Sequence, residues 1–347
     1  MSKWAYAHCD VRRMTVVGTW VRSCYGVPSP SAARARRSPP MARVLYIGGC
    51  TRSGSTLVDR MIGQIPGYLS TGELGLLTTH SLVENRLCGC GARFWDCAFW
   101  RAVGDRAFGG WDRSEAAELI DLHSHLTRHR QLALLLMPRL RPSFARDLVR
   151  YRSLLGRMYD ALHTVSGAEV IVDSTKAPAY AFALRGIPGI DLRVVHLVRD
   201  SRGTAYSSTK RQIMRDSVDR VVWKHRYPPL LITLRWIVYH LLFDGLRLLD
   251  GRQTVIRYED VIGSSRETLA RIAGFAGRPV DESGLAFATP STVHLGIDHT
   301  AVGNDMRFDH GDIELREDDE WRRSLGRWSR RVVTVMSWPL LRRWGYA

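Results

Sequence analysis

The chain lacks several features that would each have narrowed its role. No apolar segment near its start has the length a secretory signal needs, which leaves a cytoplasmic location as the expectation. No block of about five or six like charges is present, so a nucleic-acid arm is excluded and no nucleic-acid partner is expected. No repeat recurs along the sequence. No stretch of about twenty residues is free of charge. The most hydrophobic segment, Leu230 to Leu249, is interrupted by Arg235, His240 and Asp244. It therefore reads as an amphipathic helix lying on the core or on a membrane surface, not as a span.

Acids are also in short supply, 34 against 50 Lys and Arg, which leaves a formal charge of +16 and favours an anionic partner. Residues 1–40 hold +6 of it and the other residues +10, with arginines spread along the chain. Cysteine is scarce at six, too few to staple 347 residues as a disulfide scaffold. Three of the six cluster in Leu87-Cys-Gly-Cys-Gly-Ala-Arg-Phe-Trp-Asp-Cys-Ala-Phe-Trp100, with His80 the conceivable fourth ligand. Their C-x-C-x6-C spacing matches no standard zinc pattern, so Cys88, Cys90 and Cys97 read as buried or redox-responsive thiols and no metal is assigned.

What the chain does have is a globular composition, 45% hydrophobic and 9% aromatic, and length enough for a large α/β domain. The first forty residues differ from the rest, with Pro28, Pro30, Pro39 and Pro40 around an Arg/Ser/Ala run. They read as a disordered lead, a targeting extension or a start assigned too early. Residues 41–347 read as one domain with a mostly helical insertion around 75–165. Strands are predicted at Arg43 to Gly48, Glu169 to Asp173, Leu192 to Val198 and Thr254 to Tyr258, and a helix at Ser55 to Gln64. Apolar strands separated by helices predict a P-loop-like three-layer α/β fold, a parallel sheet with helices on both faces.

The sharpest motif is Gly48-Gly-Cys-Thr-Arg-Ser-Gly-Ser-Thr-Leu57, set between the first strand and the first helix. A helix start offers free N–H groups and the positive end of its dipole, so anions settle there. From Gly49 the pattern is that of a P-loop, but Ser55 stands where the lysine belongs and the positive charge moves inside the loop to Arg52. Ser53, Ser55 and Thr56 add hydroxyls, and Gly54 permits the turn. A second segment, His196-Leu-Val-Arg-Asp-Ser-Arg-Gly-Thr-Ala-Tyr-Ser207, follows the third predicted strand and places Arg199 and Ser207 eight residues apart.

The first loop resembles the 5′-phosphosulfate motif of the sulfotransferases that use 3′-phosphoadenosine 5′-phosphosulfate (PAPS), and the second resembles their 3′-phosphate motif. Ile256-Arg-Tyr-Glu-Asp260 is similar to the family's Tyr-Glu-Asp segment, whose Tyr lies near the nucleotide. His299-Thr-Ala-Val-Gly-Asn-Asp-Met-Arg-Phe308 and Asp318-Asp-Glu-Trp321 resemble a late nucleotide-covering loop of bacterial members, as the Cys-Gly-Cys cluster does. Asp305 stands where that loop usually has Pro, implying a less rigid loop. The resemblance implies PAPS as co-substrate and nucleotide contacts from Arg52, Ser53, Gly54, Ser55, Thr56, Leu57, Arg199, Ser207, Tyr258, Gly303, Asn304 and Arg307. It also implies sulfuryl transfer to a hydroxyl or amine of a small-molecule, glycan or lipid acceptor.

The catalytic set implied is Arg52 at the leaving oxygen, Glu73 as base and Lys176 stabilising developing charge. Glu73, in Ser70-Thr-Gly-Glu-Leu74, matches the Cys-Gly-Glu segment of tyrosylprotein sulfotransferases. Lys176, in Ser174-Thr-Lys-Ala-Pro178, occupies the place of the cytosolic enzymes' histidine. Asp173 either orients Lys176 or is an ordinary strand-end acid. A sulfuryl group carries less charge than a phosphoryl, so the electrostatics do not require a metal. Two rivals stay open: a P-loop kinase or NTPase with Asp173 as its Walker-type acid, and a non-catalytic binder of nucleotides or anionic polymers. The acceptor wall is expected from residues 75–165 and 210–250.

Overall fold

The computed structural model describes residues 42–347 (the side chain of Asp250 excepted), and the readings made for residues 1–40 lie outside them. Five strands form the main sheet: β1 (Ala42–Gly49), β2 (Tyr68–Ser70), β3 (Val170–Lys176), β4 (Ile190–Val198) and β5 (Gln253–Arg257). Their order is β2-β3-β1-β4-β5 and every pairing is parallel. The strands are apolar on both faces because both faces are covered. In β1, Val44 and Tyr46 enter one core with Ile171, Leu192 and Val194, while Leu45 and Ile47 enter the other with Val172, Val195 and Leu197. The three-layer α/β expectation holds. The sequence reading missed β2, which is only three residues long.

Helix α1 (Ser55–Gly63) follows β1 and buries Val58, Met61 and Ile62 under the sheet. Between β2 and β3 the chain makes a π-helical turn at Leu77–Val83 and three longer helices: α2 (Ala98–Phe108), α3 (Ser114–Leu126) and α4 (Pro142–Ser166). They cover the opposite face through Trp100, Leu119, Leu148, Tyr151 and Tyr159. Pro142 starts α4 at a position where its missing N–H goes unused.

Helices α5 (Pro178–Leu184) and α6 (Ser201–Thr209) lead out of β3 and β4, and α7 (Pro229–Asp250) precedes β5. Helix α7 is the apolar segment of the sequence. It buries Ile232, Trp236, His240 and Phe243, and it leaves Leu231, Val238 and Leu241 about half exposed. Among the described residues it is the one helix long and apolar enough to cross a membrane, and its buried face packs on the protein core. Helix α8 (Ser265–Ala276), the hairpin β6 (Thr292–Leu295) and β7 (Gly311–Glu314), and α9 (Arg327–Arg343) complete the chain.

Candidate active site

In this strand order the chain leaves β1 toward β2 and β3 on one side and toward β4 and β5 on the other. A parallel sheet that reverses direction in this way opens a crevice at the carboxyl ends of its strands. All five carboxyl ends contribute here: Arg52 follows β1, Glu73 follows β2, Lys176 ends β3, Arg199 follows β4 and Tyr258 follows β5. These residues border one cleft of about 750 Å³, together with Gly54, Ser55, Thr56, Leu57, Ser207, Gly303 and Asn304. Strands distant in sequence thus bring the predicted groups to one edge.

The loop after β1 is tightly turned. Arg52 has φ 65° and Gly54 φ 82°. A Cβ at Gly54 would lie 2.2 Å from Cε2 of Tyr258, so both the backbone and the neighbouring ring require glycine. Non-glycine residues at such φ values are costly and cluster at functional sites. The Arg52 guanidinium donates to Gln212 Oε1 at 3.1 Å. Burial lowers its pKa, with Asp305 and Glu73 opposing. Ser55 and Thr56 open α1, where the first N–H groups have no partner within the helix. Leu57 lines the cleft, but its own N–H is bonded to the Gly54 carbonyl at 3.1 Å. Ser53 is buried and lies outside the cleft lining.

Glu73 and Lys176 form an ion pair, Nζ to Oε1 at 2.6 Å, with both side chains largely buried. Lys176, like Arg52, sits at positive φ, 68°, and also donates to the Ser174 carbonyl at 3.2 Å. Asp173 points to the other layer. It accepts from Tyr159 Oη at 2.6 Å and from Thr175 Oγ1 at 2.5 Å, and burial pushes its pKa up to about 6. It therefore neither orients Lys176 nor faces the cleft as a Walker-type acid. His80 was considered only as a metal ligand, yet it lines the cleft near Glu73 with its Nδ1 buried and unbonded. Burial, then Arg86, lowers its pKa, so the imidazole favours its neutral form.

Arg199 lies between this cleft and a smaller cavity of about 180 Å³. It donates to the Arg52 carbonyl at 2.8 Å, stacks over the Tyr258 ring at 4.8 Å, and pairs with Asp318. The two anion motifs therefore touch. Asp318 belongs to an acidic segment whose Glu320 also holds Lys210 and Tyr206.

The late loop joins the first through the Asn304 N–H, which donates to Thr56 Oγ1 at 3.1 Å. Asp305 does not loosen this loop. Its carboxylate pairs with Lys224 at 2.8 Å and accepts from the Arg215 N–H at 3.1 Å. Arg307 does not reach the cleft, and its assignment to the nucleotide is corrected. The side chain is fully buried, donating to the carbonyls of Ala301 and Leu87 at 2.5 and 2.8 Å and pairing with Asp216 at 3.0 Å. A second buried arginine, Arg60, went unnoticed in the sequence. It grips the same loop through Asp298, Gly296, Met306 and Asp309. Of the insertion 75–165 only Leu76 and His80 line the cleft, and the facing wall comes from Gln212, Met214, Trp223, Lys224, His225 and Tyr227.

The chain is similar to several known proteins. Among solved structures, the sulfotransferase domain of the Synechococcus PCC 7002 olefin synthase is similar at 21% identity, over 87% of this chain and 96% of its own, with a TM-score of 0.46. Sulfotransferase STF9 from Mycobacterium avium aligns at 12% identity over 88% of this chain and 77% of its own, TM-score 0.43. A retinol dehydratase in complex with androsterone and inactive cofactor PAP aligns at 14% identity over 88% and 82%, TM-score 0.38. No curated protein matches the sequence. The model of the sulfotransferase family, however, matches residues 45–282, from β1 through α8, and on that match the chain belongs to the sulfotransferase family.

Proposed function

We propose that the protein transfers a sulfuryl group from PAPS to a hydroxyl or amine of a small acceptor. One observation carries this reading: two separate anion-binding loops, Arg52 with the start of α1 and Arg199 with Ser207, open onto the same cleft as the Glu73–Lys176 pair. A donor phosphorylated at both ends of adenosine meets both loops. A nucleoside triphosphate would use only the first, and Ser55 in place of the lysine leaves its outer phosphates without their usual contact.

The acceptor oxygen attacks sulfur in line with the bond to the 5′-phosphate. As the new S–O bond forms, the bridging S–O bond breaks and its electron pair stays on the departing 5′-phosphate. Arg52 and the N–H groups at the start of α1 stabilise that charge. The acceptor proton passes to Glu73, and Lys176 offsets the negative charge around the transferring group. His80, neutral and lining the same cleft, is the second candidate to take that proton. Trp223, His225 and Tyr227 give the acceptor side flat faces with polar edges, suited to a ring-bearing hydroxyl compound. The exposed apolar stripe of α7 would suit contact with a lipid surface.

Calorimetry tests the donor. 3′-Phosphoadenosine 5′-phosphate should bind at least about tenfold tighter than AMP, and Arg199→Ala should weaken it by about 2 kcal/mol while leaving AMP nearly unchanged. Equal affinity for both nucleotides would remove the two-site reading. Mass spectrometry of an extract incubated with labelled PAPS would then identify the acceptor.

A further inference from the structure

The cysteines that spacing alone did not explain come together with a residue the sequence reading never connected to them. Cys97 Sγ lies 3.8 Å from Cys88 Sγ, 3.8 Å from Cys90 Sγ and 3.3 Å from His299 Nδ1, and Cys88 Sγ is 3.8 Å from the same nitrogen. All four ligand atoms fall within 4.8 Å of one another. Zinc bonds of about 2.3 Å to sulfur and 2.0 Å to nitrogen, at tetrahedral angles, put sulfurs about 3.8 Å apart and sulfur about 3.5 Å from nitrogen. A disulfide needs about 2.05 Å, so the thiols are spaced around a common centre rather than for mutual bonding.

The surroundings hold this geometry from several directions. The turn closes through the Cys88 N–H to Ala92 and the Gly91 N–H to Cys88, both at 2.8 Å. Gly89 donates to the Thr300 carbonyl at 2.9 Å, and a Cβ there would come within 2.5 Å of Asp298 Oδ1, so glycine lets the two loops meet closely without shifting that carboxylate. The His299 ring is stacked on Phe99 at 4.8 Å and 14°, and its carbonyl accepts from Trp100 Nε1 at 2.8 Å. Cys97 precedes the first turn of α2, where a thiolate is favoured by the helix dipole. Arg307, bonded to the Leu87 carbonyl, brings a buried positive charge beside the cluster.

We propose that Cys88, Cys90, Cys97 and His299 bind one zinc ion in a closed, tetrahedral, structural site. Three sulfurs and one imidazole nitrogen are a donor set zinc favours, and with four protein ligands no position is left for a substrate. The ion joins the 88–97 turn to the loop that carries Val302, Gly303 and Asn304 into the cleft. On this proposal the fourth ligand is His299, 202 residues from Cys97, rather than His80, the ligand the sequence made conceivable.

The test is metal analysis of the full chain, purified without chelator and passed through gel filtration. About one zinc per chain is expected, falling at least about fivefold in Cys97→Ser and in His299→Ala. Because those variants could misfold, wild-type protein is also refolded with cobalt alone. The visible ligand-field bands and sulfur charge transfer of tetrahedral cobalt are expected, together with protection of three thiols from alkylation. Zinc-replete wild type carrying less than about 0.2 equivalents of metal, a disulfide between Cys88 and Cys97, or full metal retention in folded Cys97→Ser would each overturn the site.

Discussion

Asp59 sits on α1 one turn below the Arg52 loop, fully buried, accepting a hydrogen bond from Ser174 Oγ at 2.9 Å. Burial is the main cause that raises its pKa from 3.8 to about 8. The folded protein thus keeps a proton there that the unfolded chain has already released. Stability therefore falls as pH rises from about 4 and levels off once the folded group itself ionises, above about 8. Each pH unit in that window is worth about 1.4 kcal/mol, which sums to an effect on the order of 5 kcal/mol. Asp59→Asn keeps the shape and removes the charge. Urea denaturation of both proteins from about pH 6 to about pH 9 should show the variant gaining on the wild type by about 1 kcal/mol per pH unit, then running parallel above about pH 8. Parallel curves over the whole range would refute a protonated Asp59 and with it a neutral floor beneath the anion loop.

Glu73→Gln should lower sulfuryl transfer by about 100-fold with nucleotide affinity nearly unchanged; undiminished turnover would move the base role to His80, to be checked by His80→Gln. Arg307→Met should cost about 3 kcal/mol in denaturant unfolding, because it leaves Asp216 with the weaker partner Arg86 at 3.4 Å and frees three carbonyls. A fully stable variant that had lost nucleotide binding would restore Arg307 to the ligand.

The residues whose place in the cleft was legible in the sequence were those positioned by their neighbours in the chain. The loop from Gly48 to Leu57 and the Arg199/Ser207 pair carry their geometry in local spacing, since a strand end followed by a helix start fixes where the N–H groups and side chains point. Glu73 and Lys176 could be nominated but not paired, because only the adjacency of β2 and β3 brings them within 2.6 Å. Arg307 misled because its motif position says nothing about which way it faces, and it turns inward to three carbonyls from two segments. Asp59 and Arg60 look like the polar face of an amphipathic helix, yet the 296–309 loop buries Arg60 and β3 buries Asp59. His299 joins the cysteines only through packing of α2 against the late loop.

The ion pair between Arg199 and Asp318 has a consequence for which ligands can enter. On the proposed reading, the arginine that would take the 3′-phosphate is already paired with a carboxylate of the chain, which acts as a resident competitor. A ligand bearing a single weak anion there gains little by exchanging one carboxylate for another. A phosphate dianion would compete better, and displacing Asp318 would bear on the segment that Glu320 ties to Lys210 and Tyr206. On the proposed reading, discrimination between adenosine 5′-nucleotides with and without a 3′-phosphate is thus set partly by a threshold within the protein, before any contact with the sulfuryl group.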